Sequence, residues 1–212
     1  LQLGQTAQTI VPVAAGWEIT TDKRVITARH VIDTRGPARA RADQATLQQV
    51  FLGAEIELDV PAEIDMLTAE LMTDMRLVNG EFCFTYILPY SPTRLLVEVT
   101  FFARTIPERA ILEAELAGVL ERRGWAQARV VRQEYAVLPM GLPAARVLPG
   151  QPPRAGTGGG ALRASSGYGF LRIQRWANHC AQHYLATGQI IGHPKAALWW
   201  RSMDQLFLDV IA

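Results

Sequence analysis

Along the first half of the chain, apolar and polar positions alternate in short runs, the two-residue period of strands. Trp17-Glu18-Ile19-Thr20 leads into the polar turn Thr21-Asp22-Lys23-Arg24, and Val25-Ile26-Thr27-Ala28 returns, which predicts a hairpin. Leu47 to Val60 is strand-like around Gly53. Leu71 to Val78 and Phe82 to Leu88 flank Asn79-Gly80, a strong signal for a two-residue hairpin turn. Pro89 to Pro92 predicts a further turn and Leu95 to Ala103 the next strand, so this region reads as an antiparallel block. The period then changes: Leu112, Leu116, Val119 and Leu120 share one helical face. Thr105 and Glu108 have capping-box spacing, with Pro107 in the first turn, and Gly124 suits the stop. Ala128 to Met140 reads as a strand with Arg129, Arg132 and Glu134 on a wet face. Gly36 to Thr46 and Gly141 to Gly160 read as loops. Tyr168 to Thr187 and Ala196 to Ile211 read as helices separated by Gly188 and His193-Pro194.

Composition narrows the class. Hydrophobic residues are 49% of the 212, and charged residues 19%, enough for a buried core and too apolar for disorder throughout. Lys and Arg number 21 against 20 Asp and Glu, which leaves no global basic footprint and argues against a nucleic-acid partner. Two cysteines, Cys83 and Cys180, exclude a disulfide scaffold and a multi-cysteine zinc site, and fit a reducing compartment. The most apolar stretch, Phe82 to Phe102, is broken by Pro89, Pro92, Arg94 and Glu98, whereas a spanning helix needs about 20 nearly uninterrupted apolar residues. The chain opens at Leu1 without an initiator Met and closes within a helical pattern, which reads as an internal piece of a longer protein.

Candidate chemistry sits at four places. The short apolar run Val31-Ile32 ends in Asp33 before Arg35-Gly36-Pro37, and ligands are often met at the carboxyl ends of buried strands. Arg154-Ala155-Gly156-Thr157-Gly158-Gly159-Gly160 leads through Ser165-Ser166-Gly167-Tyr168 into a helix. Two readings stand for it: a backbone seat for a cofactor phosphate or isoalloxazine edge, or a flexible surface loop before an ordinary helix start. It is not a Walker loop, since no Gly-Lys-Ser/Thr follows. Glu98 shares a strand face with Leu96 and Thr100; it is either a carboxyl raised in pKa by apolar surroundings or a glutamate on a solvated face. His179 and His183 stand four apart on a helix, but Cys180 replaces the Glu of the zincin pattern, so no metal is expected. Trp176, Trp199, Trp200 and Phe207 read as tunnel, membrane-contact or core residues.

Several of these segments together resemble the bacterial flavin-dependent lycopene cyclases. The most diagnostic stretch is Phe84-Thr85-Tyr86-Ile87-Leu88-Pro89-Tyr90-Ser91-Pro92-Thr93-Arg94, running into Leu96-Val97-Glu98-Val99-Thr100. It is similar to the family's aromatic-x-Tyr-x-Leu-Pro, Ser-Pro-Thr-Arg and Glu-x-Thr pattern. Phe51-Leu52-Gly53-Ala54-Glu55, Val31-Ile32-Asp33-Thr34-Arg35-Gly36 and Ser165-Ser166-Gly167-Tyr168 match further family segments, the last with Ser for Thr. The sequence departs from the family at Thr73, in the register of an Asp that Asp74 replaces or shifts, at Val99, where many members carry a second acid, and at Ala164, where many have Pro.

The resemblance implies an α+β or α/β flavoprotein fold: an antiparallel substrate-domain sheet beside part of a Rossmann-like FAD-binding domain. The dinucleotide fingerprint is absent here. Residues 1–46 are then a remnant of the FAD-binding domain, 47–140 the substrate sheet with one helix, and 141–212 the flavin-facing loop and C-terminal helices. The implied catalytic acid is Glu98. The implied cofactor residues are Asp33, Arg35, Gly36, Gly158, Gly159, Ser166, Gly167 and Tyr168, and the implied substrate residues Asp74, Tyr86 and Thr100. The implied activity is lycopene β-cyclisation in carotenoid biosynthesis. An acid protonates a terminal double bond, the cation closes a ring, and proton loss gives a β-ionone end. Reduced FAD is needed, with NAD(P)H as donor, without net redox change. Partners are an apolar carotenoid and the membrane surface, with the protein cytoplasmic and peripheral on the inner-membrane face. The alternatives are a flavin-dependent monooxygenase-like oxidoreductase of the same fold group and a non-catalytic carotenoid binder.

Overall fold

A computed structural model describes residues 3–37, 42, 44–142 and 149–212; parts of the two expected loops, at 38–41, 43 and 143–148, lie outside the described residues. In chain order the elements are β1 (Ala7–Val13), β2 (Gly16–Thr21), β3 (Val25–Ala28), β4 (Leu47–Glu57), β5 (Glu70–Val78), β6 (Glu81–Ser91), β7 (Arg94–Ala103), α1 (Arg109–Arg122), β8 (Arg129–Met140), a 3₁₀ turn (Thr157–Gly159), α2 (Phe170–Thr187) and α3 (Leu198–Ile211). The mixed α/β class with antiparallel sheets is as expected. The chain forms two compact units, Ala45–Gly141 with Gln205–Ala212, and Leu1–Gln44 with Leu142–Asp204. Most of 141–212 therefore joins the N-terminal segment rather than standing as a third region.

The unit around residues 45–141 is a five-stranded antiparallel sheet in the order β5-β6-β7-β4-β8. Alternation sorts its side chains. Val50, Leu52, Ala54 and Ile56 of β4, Leu95, Val97, Val99 and Phe101 of β7, and Cys83 and Ile87 of β6 bury against Leu112, Leu116 and Val119 of α1. Asn79 and Gly80, at φ 53° and 84°, make the tight β5–β6 turn that their dipeptide predicts. β6 continues through Pro89 with a register shift instead of turning there, so the turn falls at Pro92-Thr93. α1 begins at Arg109 with Glu108 as N-cap and no side-chain capping bond, so the Thr105–Glu108 box does not form. Pro107 explains the later start: it disfavours helical backbone at the preceding residue. On the sheet's other face, Phe102 meets Phe84 edge-on at 5.0 Å and Phe207 at 6.5 Å.

The second unit holds the sheet β1-β2-β3. The β2–β3 hairpin was legible; β1 was not, because Thr9, Pro12 and exposed Val11 and Val13 blur its alternation. The run before Asp33 forms no strand; an isolated parallel bridge pairs Asp33 with Arg154 and ties that acid to the glycine run.

Candidate functional site

Strand register builds the first cluster. Tyr86 pairs with Glu98, Glu98 with Gly53 and Gly53 with Glu134, one row across β6, β7, β4 and β8. Directly paired residues share a face, so all four lie on the side opposite α1. The Thr100 hydroxyl, itself fully buried, donates to Glu98 Oε1 at 2.9 Å. Burial pushes the Glu98 carboxyl up to about 7; the Thr100 bond opposes this and the charge of Glu134 adds to it. Burial, then the Glu98 charge, also raises the Tyr86 phenol. Phe84 is buried and packs edge-on to Tyr86, its ring centre 5.4 Å away. The acid thus stands in an aromatic setting with no cation paired to it among the described residues. Such a carboxyl holds its proton near neutral pH and can deliver it to a weak base.

A second network adjoins this row. Buried Glu55 accepts from Arg94 Nε at 2.5 Å and Arg132 Nε at 3.3 Å, and Arg132 Nη1 also reaches Glu134 Oε2 at 2.7 Å. Burial would raise the Glu55 carboxyl, but the two guanidiniums together hold it below its ordinary value.

Of the residues expected to meet substrate, Tyr86 and Thr100 are brought to Glu98 and Asp74 is not. Asp74 has φ 52° within the register shift between Thr73 and Arg76 of edge strand β5, and its charge acts on Arg76 and Arg123. Arg76 pairs with Glu115 of α1, and Arg123 caps that helix, so Asp74 belongs with the helix-side charges. Val99 is buried in the helix-side core, one residue and therefore one face away from Glu98. Glu134 is the residue that reading the sequence missed. Its signal was Gly53, since a lone glycine inside a strand marks close approach.

The second cluster lies in the other unit. Asp33 is buried and chelated by its neighbour: Arg35 Nε and Nη2 donate to its carboxylate at 2.9 and 3.0 Å, and the Arg35 N–H at 3.1 Å. The Arg35 bond holds the Asp33 carboxyl below its ordinary value despite burial. Asp33, Arg35 and Arg154 line a cavity of about 170 Å³ with Ile10, Gln151 and Pro152. Gly158 and Gly159 face their own chain: a Cβ would lie 2.1 Å from the Arg35 carbonyl and 2.7 Å from that of Arg154. The glycine run is therefore a packed turn on the 33–36 segment, not a loose loop. Gly36 and Gly160 have open space around them. Arg163, Gly167 and Tyr168 exchange backbone bonds in the turn before α2, and Ser166 Oγ accepts from the Tyr168 N–H at 3.3 Å. α2 has Gly169 as its N-cap and no side-chain cap, which leaves first-turn N–H groups for another acceptor. His193 Nε2 is buried without a hydrogen-bond partner among the described residues, and Arg154 Nε, also without a hydrogen bond, lies 3.6 Å from Asp33 Oδ2 as an ion pair.

Of the C-terminal aromatics, Trp199 is exposed, Trp200 lies under the Arg163 guanidinium at 4.0 Å, and Phe207 packs on Phe102. Trp176 donates from Nε1 to the Ile191 carbonyl at 3.0 Å and stacks on His193. No group of metal-binding side chains occurs among the described residues. No helix among them is long and apolar enough to cross a membrane.

Comparison with known proteins shows the family and the fold. A geranylgeranyl bacteriochlorophyll reductase-like protein from Thermoplasma acidophilum superposes with a TM-score of 0.59 over 97% of this chain and 53% of its own, at 12% identity; the likeness is one of fold. The lycopene cyclase protein family model matches residues 4–205, and the chain belongs to that family. Lycopene beta-cyclase of Pantoea ananas is 34% identical over 125 residues, 56% of this chain and 31% of that protein. Lycopene beta-cyclase of Paracoccus sp. (strain N81106 / MBIC 01143) is 32% identical over 120 residues, 55% and 30% of the two chains. The matched stretches thus span about a third of these relatives.

Proposed function

We propose that this chain carries the acid-bearing sheet and the cofactor loop of a lycopene β-cyclase. The observation that carries the reading is Glu98: a half-buried carboxyl that keeps its proton to about pH 7, among aromatic side chains and without a cation. A hydrocarbon polyene offers only π-bonds to protonate, which demands a neutral acid in an apolar, water-poor site. Glu98 gives its proton to a terminal double bond. The resulting cation is attacked by the neighbouring double bond, one ring bond forms, and loss of a ring proton leaves a product of unchanged mass. Tyr86, beside the acid, offers a ring face to positive charge, and Thr100 orients the carboxyl.

For FAD, the donors available in the loop unit fit a polar, anionic group. They are the uncapped start of α2, His193 Nε2, which has no hydrogen-bond partner among the described residues, and Arg35 and Arg154 on the cavity wall, both of which also face Asp33; Gly36, Gly160, Ser166, Gly167 and Tyr168 are the further cofactor residues of this reading. Gly158 and Gly159 serve by shaping the turn. Bound there, a reduced flavin would supply negative charge that stabilises a carbocation, with NAD(P)H as its source of electrons. The substrate resides in bilayers, so the protein works on the inner face of the membrane. Trp199, Met203, Leu206 and Val210, exposed along one face of α3, support that contact.

The test expresses the gene encoding this chain in lycopene-accumulating bacteria, with Glu98→Gln in parallel. Cyclised carotene of unchanged mass, lost in the variant, is expected. A product heavier by oxygen would favour the monooxygenase reading, and bound but unaltered lycopene the carrier reading.

A further inference from the structure

The row that holds Glu98 contains a second carboxylate. Gly53 pairs with Glu98 on one side and with Glu134 on the other, so two strand spacings, about 10 Å between Cα atoms, separate the acids. The intervening position has no side chain. A Cβ at Gly53 would lie 3.1 Å from Glu134 Cγ and 3.3 Å from Leu96 Cδ1, so Glu134 leans over the glycine, inward along the row. A side chain there would both crowd Glu134 and screen one acid from the other.

We infer that Glu134 is a positioning residue for Glu98: its carboxylate, held over Gly53 in the same row, opposes ionisation of Glu98 and keeps the proton on the acid. The inference rests on the cyclase reading only for the use made of that proton. Among the described residues, few groups face Glu98. Thr100 donates to it from its own strand, Tyr86 flanks it from β6, and β4 presents bare Gly53. The next acid on β4, Glu55, is neutralised by Arg94 and Arg132. From β8 comes Glu134, whose other neighbour is Arg132, a side chain 53% exposed. Arg132 therefore sets how much of the Glu134 charge is felt, because it is shared with Glu55.

The test is a side-chain 13C NMR titration of Glu98 in the whole 212-residue chain. Glu134→Gln should lower the Glu98 midpoint by on the order of half a pH unit, as expected for a charge at this distance in partly screened surroundings. Glu134→Asp should retain part of the effect. Arg132→Gln should move the midpoint the opposite way, upward, which a merely loosened sheet would not do. A Glu98 midpoint unchanged in both Glu134→Gln and Arg132→Gln, with amide spectra showing the sheet intact, overturns the inference. The two readings separate cleanly. Carotene formed without any midpoint change removes the role of Glu134 alone. A changed midpoint without carotene removes the cyclase reading and leaves the pair.

Discussion

Replacing Glu98 by Gln should stabilise the fold at alkaline pH while leaving it nearly unchanged in acid. The ordinary carboxyl value is 4.5, and in the folded chain Glu98 holds its proton to about 7. Between these values the folded state binds more protons than the unfolded one, so stability falls as pH rises through that window and levels off above it. At about 1.4 kcal/mol per pH unit the penalty amounts to roughly 2–3 kcal/mol once both states are ionised, allowing for the partial exposure of the side chain. Gln keeps the shape and accepts the Thr100 hydroxyl, but cannot ionise. Denaturant unfolding of both proteins at pH 4 and pH 8.5 reads the effect directly. The difference in stability between variant and parent should grow by about 2–3 kcal/mol between the two values. A difference that stays within 0.5 kcal/mol would show that Glu98 ionises as an ordinary carboxyl, and would remove the acid from the account.

Other positions give independent checks. Gly158→Ala places a Cβ 2.1 Å from the Arg35 carbonyl and should cost about 2 kcal/mol or more by chemical denaturation. Gly36→Ala meets open space at a φ that L-residues adopt, and should change stability by only about 0.5 kcal/mol. Asp204, buried and bonded by Arg163 and by Ser165 at 2.6 Å, should cost about 3 kcal/mol when changed to Asn, read as a lowered Tm. Burial pushes the Cys83 thiol up to about 11, so a thiol reagent at pH 8 should label it only after unfolding.

The parts of the fold read most easily from sequence are those fixed by local chemistry. Asn79-Gly80 specifies its turn, Gly124 stops α1 at φ 73°, and the alternation of β4 and β7 follows a buried face. What the local pattern left open was decided by neighbours distant in sequence. Exposure of Glu98 could not be read from its own strand, because Tyr86, Gly53 and Glu134 define its surroundings. Arg132 and Glu134 looked like a solvated edge; Arg132 is exposed, yet Glu134 turns inward over a glycine about 80 residues away. The glycine run lent itself to two readings, and the close approach its glycines permit is to the backbone at Arg35 and Arg154. At Asp74, two left-handed residues in β5 defeat simple alternation, so its face could not be read from the strand pattern.

The central claim is that Glu98 starts a cyclisation by donating a proton that has exchanged with solvent. Preformed lycopene should be supplied in D2O to extracts of cells expressing the gene, and the carotene analysed by mass. One deuterium per ring formed, none in parallel reactions in H2O, and no product with Glu98→Gln is the predicted result. Rings formed without solvent deuterium, or undiminished product from Glu98→Gln, would contradict it.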